Sequence, residues 1–274
     1  MPSGSKPAAQ QAGCWPGVVQ GEAEVELAVR ALTMAYGDFV VMRDLDFAIR
    51  RGDVFIIMGG SGCGKSTLMR HLIGLKEPAA GRVLIGGQSL WETEGAEREG
   101  LLRRLGVMYQ GGALWSGLTL AENIGLPLEQ FTALAPAAIR DIACYKLALV
   151  GLAGFEDYYP AEISGGMQKR AGVARAMALD PQILFFDEPS AGLDPLSARR
   201  LDDLILELRA SLGTTMVVIT HELASLLRIG TNAIFLDVET RTQIAQGAPQ
   251  ALVDHCAHPR VRAFLTRGAA EEKR

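Results

Sequence analysis

The segment with the clearest chemical capability is a glycine-rich run at residues 59–66, which fits the spacing G-x-x-x-x-G-K-[ST]. Glycines at these positions let backbone N–H groups point inward around a phosphate, and the positive end of a following helix adds to the attraction. The lysine reaches the outer phosphates, and the final hydroxyl ligates Mg²⁺. We predict a nucleotide phosphate site here and call residues 59–66 the phosphate loop. Its members are Gly59, Gly60, Ser61, Gly62, Cys63, Gly64, Lys65 and Ser66, with Thr67 next on the helix.

Two carboxylates follow a second apolar run further along the chain. Residues 183–186 read Ile-Leu-Phe-Phe, the pattern of a strand buried on both faces of a sheet, and Asp187 and Glu188 come directly after it. The phosphate loop follows a similar apolar run at residues 54–58. Parallel strands would deliver both features to one edge of the sheet. We predict that Asp187 holds Mg²⁺ through water and that Glu188 polarises the water that attacks the phosphate.

A second anion-binding pattern lies at Ser164, Gly165 and Gly166, directly before a predicted helix over residues 167–179. Ser164 is placed to cap that helix, and the two glycines leave its positive end bare. One bound nucleotide needs only one phosphate loop, so a second anion site requires another purpose. It is useful if it meets the γ-phosphate of nucleotide held by another copy of the chain.

These motifs together resemble the ABC ATPase family, and the resemblance covers the chain from about residue 25 to residue 247. Residues 164–166, which we call the signature segment, match the family signature, with Met167 where glutamine is usual. Loss of the glutamine side chain leaves the serine hydroxyl and the backbone N–H groups in place, so we expect the segment to remain functional.

Four further residues match family positions that contact nucleotide or the other subunit. The resemblance implies that Tyr36 stacks on adenine and that Gln110 touches both Mg²⁺ and the attacking water. It implies that His221 contacts the γ-phosphate and that Asp194 ends a loop, residues 190–194, that crosses between subunits. The implied enzyme is an ATPase that binds ATP and Mg²⁺ in a head-to-tail homodimer. Its catalytic residues would be Glu188, His221, Gln110 and Lys65.

A finer resemblance within the family indicates the transported substrate. Residues 109–124, residues 127–128, the helix containing Met167 and residues 258–265 are similar to the lipid-transport branch. That branch includes the Mla-type ATPases of Gram-negative bacteria, which work with an MCE-domain substrate-binding protein. It implies phospholipid transport between the inner and outer membranes, with this chain bound to an integral permease at the cytoplasmic face of the inner membrane. Two alternatives stay open: an importer of amino acids or other polar solutes, and a soluble ABC ATPase outside transport.

Composition limits the class of protein. Of 274 residues, 49% are hydrophobic and 6% aromatic, which fits a globular core rich in aliphatic side chains. The net charge of −4 gives no overall field that favours nucleic acid. Apolar runs are strand-sized, so we expect no transmembrane helix. The four cysteines form neither a CxxC pair nor a metal-ligand spacing, which fits a reducing cytoplasm.

The order of strand and helix patterns predicts an α/β fold with a parallel sheet covered by helices, and the resemblance implies a P-loop NTPase of the ABC ATPase type. We expect a mostly parallel sheet core with an antiparallel edge sheet and a helical subdomain. The predicted divisions are a mobile tail at residues 1–22, a RecA-like core at 23–110 and 166–247, a helical subdomain at 111–165 and a C-terminal extension at 248–274. Residues 258–265 fit either a helix packed on its own domain or an arm that touches a neighbouring subunit.

Overall fold

A computed structural model describes residues 24–271 of the chain. The tail predicted at residues 1–22 lies outside this range. The strands are β1 (Val25–Tyr36), β2 (Phe39–Arg50), β3 (Val54–Gly59), β4 (Ala80–Ile85), β5 (Gln88–Ser89), β6 (Leu105–Met108), β7 (Ile183–Asp187), β8 (Thr215–Ile219), β9 (Asn232–Asp237) and β10 (Thr242–Gly247). The α-helices are α1 (Lys65–Leu72), α2 (Gly95–Arg103), α3 (Leu120–Phe131), α4 (Pro136–Leu149), α5 (Gly165–Ala176), α6 (Pro195–Leu212), α7 (Leu223–Ile229), α8 (Pro249–His255) and α9 (Pro259–Glu271).

The strands form two sheets. A six-stranded sheet has the order β10-β9-β3-β8-β7-β6, and its strands are parallel except for β10, which runs antiparallel to β9. A four-stranded antiparallel sheet has the order β2-β1-β4-β5. The fold class expected from the sequence is confirmed. Because β3, β7 and β8 are neighbours, the loops that follow them meet at one edge of the larger sheet.

The six-stranded sheet is buried on both faces, which explains the continuous apolar runs in its strands. Along β3, Val54, Ile56 and Met58 belong to one core cluster, which also contains side chains from α3, α4, α5 and α6. The alternate residues Phe55 and Ile57 belong to a second cluster, with side chains from α1 and the antiparallel sheet. The sheet that positions the site is therefore held between two apolar layers.

Strand β6 was not predicted, and a glycine explains why. Gly106 lies in this four-residue strand, where an added Cβ would lie 2.1 Å from the carbonyl oxygen of Ala176, near the end of α5. Glycine is required for that close approach, but it weakens the apolar pattern by which a strand is recognised. Strand β10 and helices α2, α7 and α8 were likewise not individually predicted.

The C-terminal helix α9 packs on its own domain over its described side chains. Val261 and Leu265 are buried in the first core cluster, and the ring of Phe264 meets that of Phe235 edge-on at 5.3 Å. The guanidinium of Arg260 pairs with Asp237 at 2.6 Å. Of the two interpretations of residues 258–265, a helix packed on its own domain therefore describes this face. Within residues 24–271, no helix is long and apolar enough to cross a bilayer.

Candidate nucleotide site

The phosphate loop joins the end of β3 to the start of α1, the arrangement that its sequence pattern requires. Gly59 has φ +150°, and an added Cβ would lie 2.5 Å from the carbonyl oxygen of Leu236. Gly64 has φ +91° and precedes α1 in a left-handed conformation. These glycines make the tight path possible, which turns backbone N–H groups toward the centre of the loop.

Two side chains line the inside of the phosphate loop. The ammonium of Lys65 donates to the carbonyl oxygens of Gly59 at 2.9 Å and Gly60 at 3.0 Å, which hold it at the mouth of the loop. Cys63 is 1% exposed, and its Sγ lies 3.9 Å from the Lys65 ammonium. Burial raises the pKa of the Cys63 thiol, with Lys65 acting in the opposite direction. The thiol is therefore a neutral filler of the loop, closed to solvent.

The two carboxylates lie where the sequence placed them, at the carboxyl end of β7. Burial raises the pKa of Asp187, and the adjacent Glu188 raises it further, whereas Lys65 and a hydrogen bond from Ser66 lower it. A desolvated carboxylate beside a hydroxyl is a donor set of hard oxygens, which suits Mg²⁺. Residues 24–271 contain no group of three or more His, Cys, Asp and Glu residues that could hold a metal. One carboxylate and one hydroxyl leave most of the octahedral coordination of Mg²⁺ to other oxygens, such as those of phosphates or water.

Glu188 and His221 form a pair at this edge. Nδ1 of His221, in the loop after β8, lies 2.8 Å from Oε2 of Glu188. Glu188 has φ +50°, an uncommon conformation for a residue with a side chain, and its N–H donates to Ile219 at 2.9 Å. The Glu188 side chain is 16% exposed and that of His221 is 62% exposed. A strained, tethered backbone therefore holds a carboxylate beside an accessible imidazole.

The signature segment lies at the N-terminus of α5. Ser164 caps the helix as predicted, because its hydroxyl accepts from the N–H of Met167 at 3.3 Å. Gln168 fixes the preceding turn by donating to the carbonyl oxygen of Pro160 at 2.8 Å. Ser164 and Gly165 are exposed. Among the hydrogen bonds and ion pairs of the described residues, none joins residues 164–166 to the phosphate loop of the same chain.

The Gln110 loop, residues 110–113, rests on the body of α5. Lys169, a buried lysine, donates to the carbonyl oxygen of Gln110. Arg175 donates to the carbonyl oxygens of Gly112 at 3.2 Å and Ala113 at 2.5 Å. Burial lowers the pKa of Lys169, and the negative charge of Glu188 opposes that shift. Sequence reasoning missed Lys169 and Arg175, because nothing local ties them to a loop some 60 residues earlier in the chain.

Tyr36 and Asp194 lie at the margins of the site. Tyr36 closes β1 at the hairpin with β2, and its side chain is 45% exposed. A hydrogen bond with Thr67, next to the phosphate loop, lowers the pKa of Tyr36. Asp194 caps α6 by accepting from Leu196 and Ser197, each at 3.0 Å. The structure therefore brings Tyr36 to the phosphate side, and it gives Asp194 a capping role that the sequence analysis did not include.

A family model described as ABC transporter matches residues 42–191, more than half of the chain, and it includes the phosphate loop, the signature segment and both carboxylates. The chain belongs to the ABC transporter family. Together with the geometry above, this makes it the ATP-hydrolysing subunit of an ABC transporter.

Several ABC transporter subunits are similar over most of their length. The probable ribonucleotide transport ATP-binding protein mkl of Mycobacterium tuberculosis is 37% identical over 255 residues, covering 91% of this chain and 70% of that protein. The intermembrane phospholipid transport system ATP-binding protein MlaF of Escherichia coli is 35% identical over 237 residues, covering 86% and 87%. The methionine import ATP-binding protein MetN of Bradyrhizobium diazoefficiens is 38% identical over 224 residues, covering 82% and 64%.

A solved ABC cassette has the same fold. It is an ATP-binding cassette described as a dimer in a post-hydrolysis state with ADP and phosphate bound. Its TM-score is 0.73 at 28% identity, and the match covers 81% of this chain and 98% of that one.

Proposed function

We propose that two copies of this chain pair head to tail and hold ATP between the phosphate loop of one copy and the signature segment of the other. The observation that carries this proposal is the N-terminus of α5. It is capped, exposed and not bonded to the phosphate loop of its own chain. A helix end of this kind attracts an anion. The related cassette, described as a dimer with ADP and phosphate bound, supports this pairing.

Charge neutralisation in the proposed site comes from Lys65, the N–H groups of the phosphate loop and the Mg²⁺ that Asp187 would help to hold. Lys65 would leave the carbonyl oxygens that now hold it and bind the β- and γ-phosphates, while loop N–H groups surround them. Ser66, Asp187 and Gln110 would hold Mg²⁺, which supplies positive charge to the phosphate oxygens when it is bound. Tyr36 would stack on adenine, with Thr67 beside the phosphates.

Water activation is assigned to the pair at the ends of β7 and β8. Glu188 would accept a proton from the attacking water. His221, whose Nδ1 lies 2.8 Å from Oε2 of Glu188, would contact the γ-phosphate. The partner's signature segment would offset charge on the same phosphate, and Asp194 would place the crossing loop between the subunits. Phosphoryl transfer needs positioning and charge neutralisation more than covalent chemistry, and this set supplies both.

The subunit arrangement can be tested without measuring hydrolysis. In a Glu188→Gln background, the added change Ser164→Glu should abolish pairing driven by ATP, because a carboxylate would face the γ-phosphate across the seam. ATP binding by the single subunit should persist, since its own phosphate loop is intact. The matched control is the Ser211→Glu variant, which should pair normally. Ser211 is exposed and lies near the C-terminal end of α6. Normal pairing by the Ser164→Glu variant would refute the proposed seam.

We further propose that this subunit powers phospholipid transport between the inner and outer membranes of a Gram-negative bacterium. The similarity to MlaF over most of both chains and the lipid-branch pattern at residues 109–120 support this substrate. The partners would be an integral permease, reached from the cytoplasmic face of the inner membrane, and an MCE-domain lipid-binding protein.

A groove beside the Gln110 loop is the proposed permease contact. It encloses about 1040 Å³, and its lining includes Tyr109, Trp115, Leu118, Pro127 and Phe131. Trp115 is 66% exposed, a large fraction for an indole ring. A bound permease segment there would lie next to Gln110, so its movement could reach the catalytic water.

A second candidate is import of a polar solute, which the similarity to the methionine importer subunit favours. Purification of the tagged chain from native membranes discriminates the two. Recovery of a permease with phospholipid would support the lipid proposal, and recovery of a permease with a solute-binding protein would support the importer. The Trp115→Ala variant should lose the permease, whereas Tyr145→Ala, another exposed aromatic change outside the groove, should keep it. Equal recovery of the permease with both variants would exclude the groove as the permease contact.

A further inference from the structure

A lysine that no motif includes lies against the ring of Tyr36. Nζ of Lys76 is 3.8 Å from the ring centroid, well inside the range of a cation–π interaction. Tyr36 stands at a hairpin and is 45% exposed, so its ring would otherwise exchange among rotamers. The ammonium therefore adds a restraint on the ring plane of a partly exposed side chain.

The backbone of Lys76 is itself fixed to the end of α1. Its N–H donates to the carbonyl oxygen of Arg70 at 3.1 Å, and its own carbonyl oxygen lies 2.6 Å from Nδ1 of His71. Because a carbonyl oxygen only accepts, Nδ1 must carry the proton. His71 is 0% exposed, and its Nε2 has no hydrogen-bond partner among the described residues. Burial of this polar ring is costly, and the bond that it makes holds Lys76 in place.

The remaining edge of Tyr36 is also engaged. Thr67 and Arg70, both on α1, interact with its hydroxyl and lower the pKa of Tyr36. Two side chains about one turn apart on α1 therefore face the tyrosine hydroxyl, and Lys76, beyond the end of the helix, covers one face of the ring. Because Tyr36 is 45% exposed, part of its surface remains accessible to another planar group.

We propose that Lys76 is a positioning residue for the base of the nucleotide. Its ammonium holds the Tyr36 ring in one orientation, so that adenine stacks on the other face without first having to order the side chain. This inference rests on the proposed stacking of Tyr36 on adenine. A ring ordered in advance makes base binding stronger and leaves phosphate binding unchanged.

The test compares ATP with tripolyphosphate, which has the phosphates but lacks the adenosine. Binding of Mg-ATP and of Mg-tripolyphosphate to the full chain is measured by calorimetry for the parent protein, Lys76→Met and Lys76→Arg. Lys76→Met should weaken ATP binding about two- to fivefold, the size expected for one exposed cation–π contact. It should leave tripolyphosphate binding unchanged, and Lys76→Arg should restore ATP binding. In a Tyr36→Leu background, Lys76→Met should have no further effect.

The control is Arg241→Met, in the turn between β9 and β10. Arg241 lies over the ring of Phe39, 5.1 Å from its centroid, so this change removes the same charge and the same type of contact. It should change binding of neither ligand. Equal weakening of both ligands by Lys76→Met would show long-range attraction of phosphate and overturn the proposal, as would an unchanged affinity for ATP. Failure of Lys65→Ala to weaken tripolyphosphate binding would instead refute the proposed phosphate site itself.

Discussion

At the scale of single residues, the site stores unfavourable charge and backbone strain. Asp187 and Glu188 are adjacent acids at a buried strand end, and desolvation raises the pKa of Asp187. Glu188 keeps a left-handed backbone that most side chains avoid. Such costs persist where the surrounding structure imposes them, and they concentrate at functional sites. Two substitutions separate the roles of these acids.

Asp187→Asn should stabilise the nucleotide-free protein while abolishing Mg²⁺-dependent ATPase activity. The folded-state pKa of Asp187 lies above its unfolded value, so the charged carboxylate opposes folding at neutral pH, and this penalty disappears as the pH falls through the folded pKa. The melting temperature of the variant should therefore exceed that of the parent protein at pH 7, and the difference should shrink toward pH 4. A variant that melts lower at pH 7 would contradict the assignment of burial as the dominant effect.

Glu188→Gln should bind ATP yet hydrolyse it at least about a hundredfold more slowly, because the amide keeps the shape of the side chain but cannot accept the proton. With ATP it should accumulate as a dimer on size-exclusion chromatography. Lys65→Ala, measured in parallel, should remain a monomer because it lacks the ammonium that binds the phosphates. Hydrolysis at the parent rate by Glu188→Gln would exclude the assigned base.

At the scale of elements, helix α5 links two sites. Its N-terminus presents the signature segment, while Lys169 and Arg175 on its body hold the Gln110 loop of the same chain. Gly172 lets the loop approach the helix, because an added Cβ there would lie 2.9 Å from the Cα of Gly112. A displacement of α5 by a partner's nucleotide would therefore carry the Gln110 loop with it.

Gly172→Ala should destabilise the protein by on the order of 1–3 kcal/mol, since backbone atoms of a second segment would have to move. Gly100→Ala is the matched control, because Gly100 is also inside a helix and an added Cβ meets nothing within 4 Å. It should instead stabilise by about 0.5–1 kcal/mol through helix propensity. Denaturant unfolding measures both, and the opposite signs are the test. Stabilisation by both substitutions would mean that the close approach is not constraining.

The difference between what the sequence predicted and what it missed follows from the range of each signal. The phosphate loop and the two carboxylates depend on short spacings next to apolar strands, so they could be recognised locally. The contact of Lys169 with Gln110 depends on how α5 packs, and Gly106 hid β6 because the same glycine that permits close packing breaks the strand pattern. The helical pattern of residues 258–265 predicted an apolar face, but a pattern on one helix cannot indicate whether its own domain or another subunit covers that face.

At the scale of the whole molecule, the C-terminal helices complete the core of the six-stranded sheet. Leu252 of α8, with Val261 and Leu265 of α9, is buried in the same cluster as Phe235 of β9. Arg260 ties α9 to Asp237, whose strand passes beside the phosphate loop at Leu236. Truncation after Gly247 would therefore expose a core face, and any change in self-association would be confounded with unfolding. A point substitution in α9 is the sharper test of whether this helix packs on its own domain or contacts a neighbouring subunit.

Phe264→Ala should lower the free energy of unfolding by about 2 kcal/mol, because the half-buried ring loses its edge-on contact with Phe235. Self-association, measured by sedimentation velocity with ATP in the Glu188→Gln background, should be unchanged, since this face of the helix is directed at its own domain. Arg262→Ala, an exposed neighbour on α9, should alter neither quantity. If Phe264→Ala left unfolding unaffected and weakened the dimer, α9 would instead be an arm that reaches the neighbouring subunit.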